Sequence, residues 1–222
     1  MTVVAQYETA FFQYMATEMT QDLAHDLNHV TRVVKTAKWL SQIENGCQEI
    51  VVPAAYLHDC FSFSKNHARK SESSTIAADK AIAFLETIEY PAQFFQAIHH
   101  AIAAHSFSAN ICAQTLEAKI VQDADRLDAL GAIGIARTFY VGASLDTPMY
   151  SPKDPFCGDR QPDDRQFSID HFYKKILRLE FLIHTESARQ EAKIRTQFIR
   201  AFLQQLESEI VVNSKFNLPC PA

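Results

Sequence analysis

The sequence predicts an all-α protein folded as one helical bundle, with a long Pro/Asp-rich excursion set into it. Three observations carry this. The 222-residue chain holds only five glycines. Alternating β-branched runs are few, and apolar residues recur at the 3.6-residue period over long stretches. The length suits one sizeable domain, and a composition of 47% hydrophobic and 21% charged residues is that of a globular protein.

In chain order, helices are expected over about 5–19, 22–44, 49–61, 72–88, 92–105, 114–128, 131–142, 168–185 and 187–211. The helix over 22–44 has an apolar stripe of Val30, Val33, Val34, Ala37 and Leu40, and Asn45-Gly46 supplies its stop. The apolar run from Ile50 to Leu57 makes the next helix and ends in His58-Asp59. Pro91 suits the start of 92–105, whose apolar face runs through Phe94, Phe95, Ile98, Ala101 and Ile102, with His105 continuing it. The helix over 114–128 and the turn after it hold three aspartates, Asp123, Asp125 and Asp128. The stretch from Asp146 to Gln166 has four of the eight prolines, five aspartates and no periodicity, the composition of a functional lid or mobile excursion. The final helices are amphipathic through Phe181, Leu182, Phe198, Phe202, Leu203 and Leu206 and are expected to pack back on the bundle. The organisation predicted is thus a core over 22–142, a loop over 143–167 and C-terminal helices over 168–212, all in one domain.

Charge and composition exclude several classes of function. The net charge is −5, and no Lys/Arg block stands out, so affinity for bulk nucleic acid or an anionic membrane is not expected. Five cysteines form no CxxC pair, which argues against a disulfide framework or a thiolate zinc site and fits a reducing cytosol. Residues Met1 to Glu8 lack the basic start and apolar core of a signal peptide. Tyr90 to Leu116 has no Asp, Glu, Lys or Arg, yet its three histidines, three glutamines, asparagine and two serines are too polar for a membrane span. That uncharged stretch is expected to be buried inside the protein, and the protein is expected to be cytoplasmic.

Several side chains stand where chemistry is expected. His58-Asp59 closes an apolar segment, where the pair either offers an imidazole nitrogen and a carboxylate oxygen to a divalent metal or acts as a capping Asp beside a core His. His29 falls on the edge of its helix's apolar stripe, one turn after His25, so the two are either an i,i+4 chelating pair or solvent-exposed histidines. Asp125 and Asp128 share a face with Val121 and Ala132, while Asp123 and Arg126 point away. Two carboxylates on an apolar face repel unless a cation or donor lies between them, which means either a metal or an internal salt bridge with a partner such as Arg137 or Lys65. His105 is either a hydrogen-bonded core histidine or, with Ser106 and Ser108 at a helix end, part of an anion site.

The order His29, His58-Asp59, Asp125 resembles the HD superfamily of metal-dependent phosphohydrolases, all-α proteins named for that dipeptide. The segments from His25 to Val33, Leu57 to Asp59, His105 to Ser108 and Gln122 to Arg137 resemble one bacterial branch related to nucleotide pyrophosphohydrolases. The likeness extends through His171 to Lys175 and Thr185 to Arg189. It implies an HD-type helical bundle in which His29, His58, Asp59 and Asp125 bind one divalent metal. Relatives carry an acidic residue shortly after the dipeptide, where this chain reads Cys60-Phe61-Ser62-Phe63-Ser64-Lys65. Asp128 or Glu72 is left to supply a general acid or base.

The resemblance therefore implies a hydrolase of a phosphoester or phosphoanhydride bond in a nucleotide, working through metal-activated water. Mixed nitrogen and oxygen donors suit Mn²⁺, Fe²⁺, Co²⁺ or Zn²⁺ better than Mg²⁺. Asp59 serves as ligand and holds the water, with Asp128 as base or as a group that supports a ligand from behind. Lys65 and His105 neutralise phosphate charge, and Arg32 reaches the substrate. The alternative is a nucleotide-binding signalling module that keeps the cage without turnover. A nuclease acting on long nucleic acid fits poorly with the negative charge. A homodimer stays open.

Overall fold

The computed structural model describes residues 3–19, 26–64 and 67–210. Among these residues the regular structure is all helical: α1 (Glu8–Glu18), α2 (Leu27–Ile43), α3 (Gln48–Leu57), α4 (Ser73–Thr87), α5 (Phe95–His105), α6 (Leu116–Asp128), α7 (Gly131–Ser144), the short α8 (Asp170–Lys174) and α9 (Glu186–Ile210). No helix among them is long and apolar enough to cross a membrane.

Helices α2, α3, α5 and α6 pack on one another, α4 covers α5, and α9 lies against α6 and α7. The stripe of α2 is fully buried as expected, with Val30, Val33, Ala37 and Leu40 at 0% exposure. Asp26 caps this helix by accepting from the His29 backbone N–H at 2.7 Å, which fixes the first turn where His29 stands. The start expected at residue 22 falls partly outside the described residues. Helix α3 carries Pro53 in its interior. Proline has no N–H for the carbonyl four residues earlier, and the Tyr90 hydroxyl donates to that Glu49 carbonyl at 2.7 Å instead.

Four expectations are corrected. The helix predicted over 49–61 stops at Leu57, which leaves His58 and Asp59 in a turn. The helix predicted over 168–185 is broken into α8 and a 3-10 helix over Ile176–Leu182. Beyond that, the N–H groups of His184 and Thr185 donate to the Asp123 carboxylate at 2.9 and 2.7 Å, so a side-chain acceptor replaces the helical carbonyls. The apolar pattern of the last helices is only half buried: Leu203 is in the core, whereas Phe181 and Phe198 are 77% and 53% exposed. In the uncharged stretch, Ile98 and Ala101 to His105 are buried as expected, but Phe107 and Cys112 are exposed.

The Pro/Asp-rich excursion is fastened to its own neighbours. The Asp154 carboxylate accepts from the N–H groups of Gly158, Asp159 and Arg160. Arg160 forks onto Asp170 at the start of α8, with contacts of 2.5 and 2.6 Å, and Asp170 is fully buried. Its segments meet again where Ser168 and Ile169 donate to the carbonyls of Pro148 and Met149.

Candidate metal centre

Three helix ends and one helix start meet in the middle of the bundle. His29 sits in the first turn of α2, His58 and Asp59 follow α3, His105 ends α5, and Asp125 lies in the last turn of α6. Each histidine is fixed through Nδ1. His58 Nδ1 donates to the Ala55 carbonyl at 2.8 Å, and His105 Nδ1 to the Ile102 carbonyl at 2.6 Å. His29 Nδ1 faces Asp128 Oδ2 at 2.7 Å. All three partners are acceptors, so Nδ1 carries a proton in each, and in His29 and His58 the Nε2 lone pair is left facing inward.

Those inward atoms converge. His29 Nε2 lies 3.4 Å from both His58 Nε2 and Asp125 Oδ1, and 3.8 Å from Asp59 Oδ2. His58 Nε2 lies 3.5 Å from Asp59 Oδ2 and 4.0 Å from Asp125 Oδ1. Two nitrogen lone pairs cannot hydrogen-bond each other, and a cation between the histidines suits their 3.4 Å approach. Donors sharing an ion with bonds of about 2.1 Å lie about 3–4 Å apart, and these do. The donor set therefore fits a divalent metal. His29, His58 and Asp125 form one group able to hold an ion, and His58, Asp59 and His105 form a second that overlaps it.

Electrostatics agree with ligation. Burial pushes the His58 imidazole down to about 4, which keeps it neutral and available as a donor at physiological pH. Burial works against the Asp125 carboxylate, but the surrounding imidazoles of His29, His58 and His105 outweigh it and hold its pKa below the usual carboxylate range. His105 is raised: burial opposes its charge, but Asp59, with Oδ1 3.6 Å from Nε2, and then Asp125 favour it.

Asp128 stands behind His29, on the side away from the convergence. Its carboxylate receives Arg32 Nε at 2.7 Å, Arg32 Nη2 at 3.0 Å and Arg137 Nη1 at 2.7 Å. Burial opposes its ionisation, but the hydrogen bonds from His29 and Arg32 overcome it and hold the pKa far below the usual range. Arg32, expected at the substrate, directs both of these donors to Asp128. Of the other expected residues, Lys65 and His25 lie outside the described ones. Glu72 forks with Arg69 at the surface, with contacts of 2.6 to 3.0 Å.

Asp123 turns away from the convergence, as helical phase predicts, but not to solvent. It is fully buried, and besides two backbone N–H groups it accepts the Thr185 hydroxyl at 2.8 Å. Sequence reasoning also passed over Gln122, which bridges the Ala104 carbonyl at 2.6 Å and His184 Nε2 at 2.6 Å, beside the end of α5 that carries His105. Lys70 was missed as well. Its ammonium donates to Ser62 Oγ at 2.5 Å and the Phe63 carbonyl at 2.8 Å, in the segment where relatives place an acid. No local pattern marks these residues, because their partners are distant in sequence or lie in irregular backbone.

Comparison with known proteins agrees with this arrangement. A family model described as the HD domain matches residues 26–130, which span all five convergent residues. The uncharacterised protein YpgQ of Bacillus subtilis is 30% identical over 190 residues, 84% of each chain. A solved HD-superfamily hydrolase from Bacillus thuringiensis superposes with a TM-score of 0.71 at 33% identity, covering 92% of this chain and 97% of the other. The structure of Bacillus subtilis YpgQ in complex with ADP superposes with a TM-score of 0.71 at 30% identity, over 90% and 98% of the two chains.

Proposed function

This chain belongs to the HD domain family, and from that membership we propose that it is a metal-dependent phosphohydrolase cleaving a phosphoester or phosphoanhydride bond of a nucleotide. One observation carries the reading: three imidazoles, each anchored through Nδ1, aim Nε2 at the carboxylates of Asp59 and Asp125. The ADP complex of a relative at 30% identity supports a nucleotide ligand.

His29, His58, Asp59 and Asp125 would hold the ion, and their mixed donors favour Mn²⁺, Fe²⁺, Co²⁺ or Zn²⁺ over Mg²⁺. A bound ion of this kind supplies Lewis acidity toward a phosphoryl oxygen and an acidified water. The chain's own residues do the rest. Asp59 turns one oxygen toward His58 and the other toward His105, so it would both ligate the ion and orient a water beside it. His105, favoured as a cation by Asp59, neutralises charge building on the phosphate, and Lys65 joins it. Asp128, committed to two guanidinium groups, is too weak a base to take a proton. It positions His29 as a metal ligand instead, as carboxylate partners of ligating histidines do.

The test is to incubate metal-loaded protein with a panel of nucleoside mono-, di- and triphosphates and follow the products. Metal-dependent turnover of at least one, abolished in His58→Ala and Asp125→Ala with the fold intact, is expected. Tight nucleotide binding without product would assign the chain to the non-catalytic signalling class.

A further inference from the structure

A cavity of about 320 Å³ opens between α2, the α6–α7 junction and α9, and its walls include Arg32, Lys35, Arg195, Asp128, Gly131 and Ile133. None of His58, Asp59, His105 and Asp125 lines it. It lies on the far side of Asp128, whose carboxylate faces His29 Nδ1 at 2.7 Å.

Its charge is unbalanced. Three cationic side chains line it with one carboxylate; from outside the cavity that carboxylate is also paired with Arg137, and Arg195 with Glu191. The cationic wall is built rather than incidental. Arg195 is fixed by Nη1 on the Leu127 carbonyl at 2.7 Å and Nε on Glu191 at 2.7 Å. Its aliphatic stem lies against Gly131, where a Cβ would stand 3.2 Å from Arg195 Cγ and where φ is +69°. A residue with a side chain is disfavoured there twice, by backbone conformation and by the arginine stem. Arg32 is fixed by its fork on Asp128. Lys35, one turn further along α2, is exposed at the mouth. The first residues of α7 complete the wall, where the helix dipole adds positive potential.

We propose that this cavity is a second, anion-binding site that takes a phosphate group, separate from the metal centre. Its volume is at the small end of ligand pockets. It therefore accommodates inorganic phosphate or the phosphate end of a nucleotide rather than a whole nucleoside triphosphate. An anion there sits beside Arg32, one residue removed from the coordination shell.

The test measures binding of inorganic phosphate, and separately of adenosine monophosphate, to chelator-treated protein by calorimetry. The proposal does not depend on turnover, so failure of the phosphohydrolase reading leaves this experiment unchanged. Phosphate binding is expected, weakened at least tenfold by Lys35→Glu and by Arg195→Gln and unaltered by His105→Ala. Equal affinity for the two probes would identify the free ion as the ligand, and tighter adenosine monophosphate binding would identify a nucleotide. Absence of phosphate binding, or binding lost in His105→Ala and retained in Lys35→Glu, would overturn the proposal. Circular dichroism and thermal unfolding of each variant separate loss of the site from loss of the fold.

Discussion

Asp128 Oδ2 lies 2.7 Å from His29 Nδ1, so the carboxylate grips the imidazole by the nitrogen opposite the metal centre. One contact thus sets the tautomer and the ring orientation of the histidine from α2, while Arg32 and Arg137 hold the carboxylate itself. Asp128→Asn keeps the shape and removes the charge. It is expected to weaken metal affinity about 10–100-fold. The variant also leaves two guanidinium groups without their anion, at a cost of about 3 kcal/mol in stability. Metal titration monitored alongside thermal unfolding checks both; unchanged affinity would show that His29 is oriented by something else.

His105 shares Asp59 with the proposed metal ligands but reaches it from the far side, Nε2 to Oδ1 at 3.6 Å. Its proposed work is on the phosphate. His105→Gln is therefore expected to retain metal while losing about 10²–10³-fold in turnover, the range for removing one group that stabilises developing charge. Metal content measured beside steady-state rates separates the two; loss of metal with rate would make His105 a ligand.

Acid sensitivity follows from the buried ion pairs. Burial opposes ionisation of Asp170, but the hydrogen bonds from Arg160 and from the Asp163 N–H hold its pKa below the usual value. Asp128 is shifted the same way. A carboxylate whose folded pKa is depressed contributes stability that is present above its unfolded pKa of about 3.9 and is lost as pH falls below it. Stability is expected to decline from about pH 5 downward. In Asp170→Asn that dependence is shallower, and stability at neutral pH is lower by about 3 kcal/mol. Urea unfolding across the pH range measures this, and a parallel pH profile in the variant would remove Asp170 as its source.

Asp123 gathers the His184 and Thr185 N–H groups and the Thr185 hydroxyl just before α9 begins. Asp123→Ala strands those donors in a buried site, at about 3 kcal/mol. Hydrogen exchange is expected to show faster exchange at residues 183–189 first, with α2 and α3 still protected. Uniform acceleration throughout the chain would mean that Asp123 does not act locally.

Helical periodicity made the inward-facing donors legible. The stripe of α2 carries His29, the apolar run of α3 delivers His58-Asp59, and helical phase turns Asp125 and Asp128 away from Asp123. What periodicity cannot show is a partner far along the chain. The way the 168–185 segment ends depends on Asp123, sixty-one residues before His184. The employment of Asp128 by Arg32 depends on a contact ninety-six residues apart. The Asp146–Gln166 segment reads as a lid from its prolines, yet Arg160 finds a buried anion in Asp170 and ties it down. The apolar residues Phe181 and Phe198 follow the helical pattern and still face outward, because pattern records a preference for burial and not the presence of a covering element.

In the proposed function, His29, His58, Asp59 and Asp125 form one metal cage that serves hydrolysis. The most direct measurement is the metal stoichiometry of the wild-type chain and of Asp125→Ala after dialysis against Mn²⁺, with phosphate release from a nucleotide recorded on the same samples. One ion per chain with turnover in the wild type, and neither in the variant, is the result predicted. A wild-type chain that binds no ion, or that turns over equally well after chelation, would contradict it.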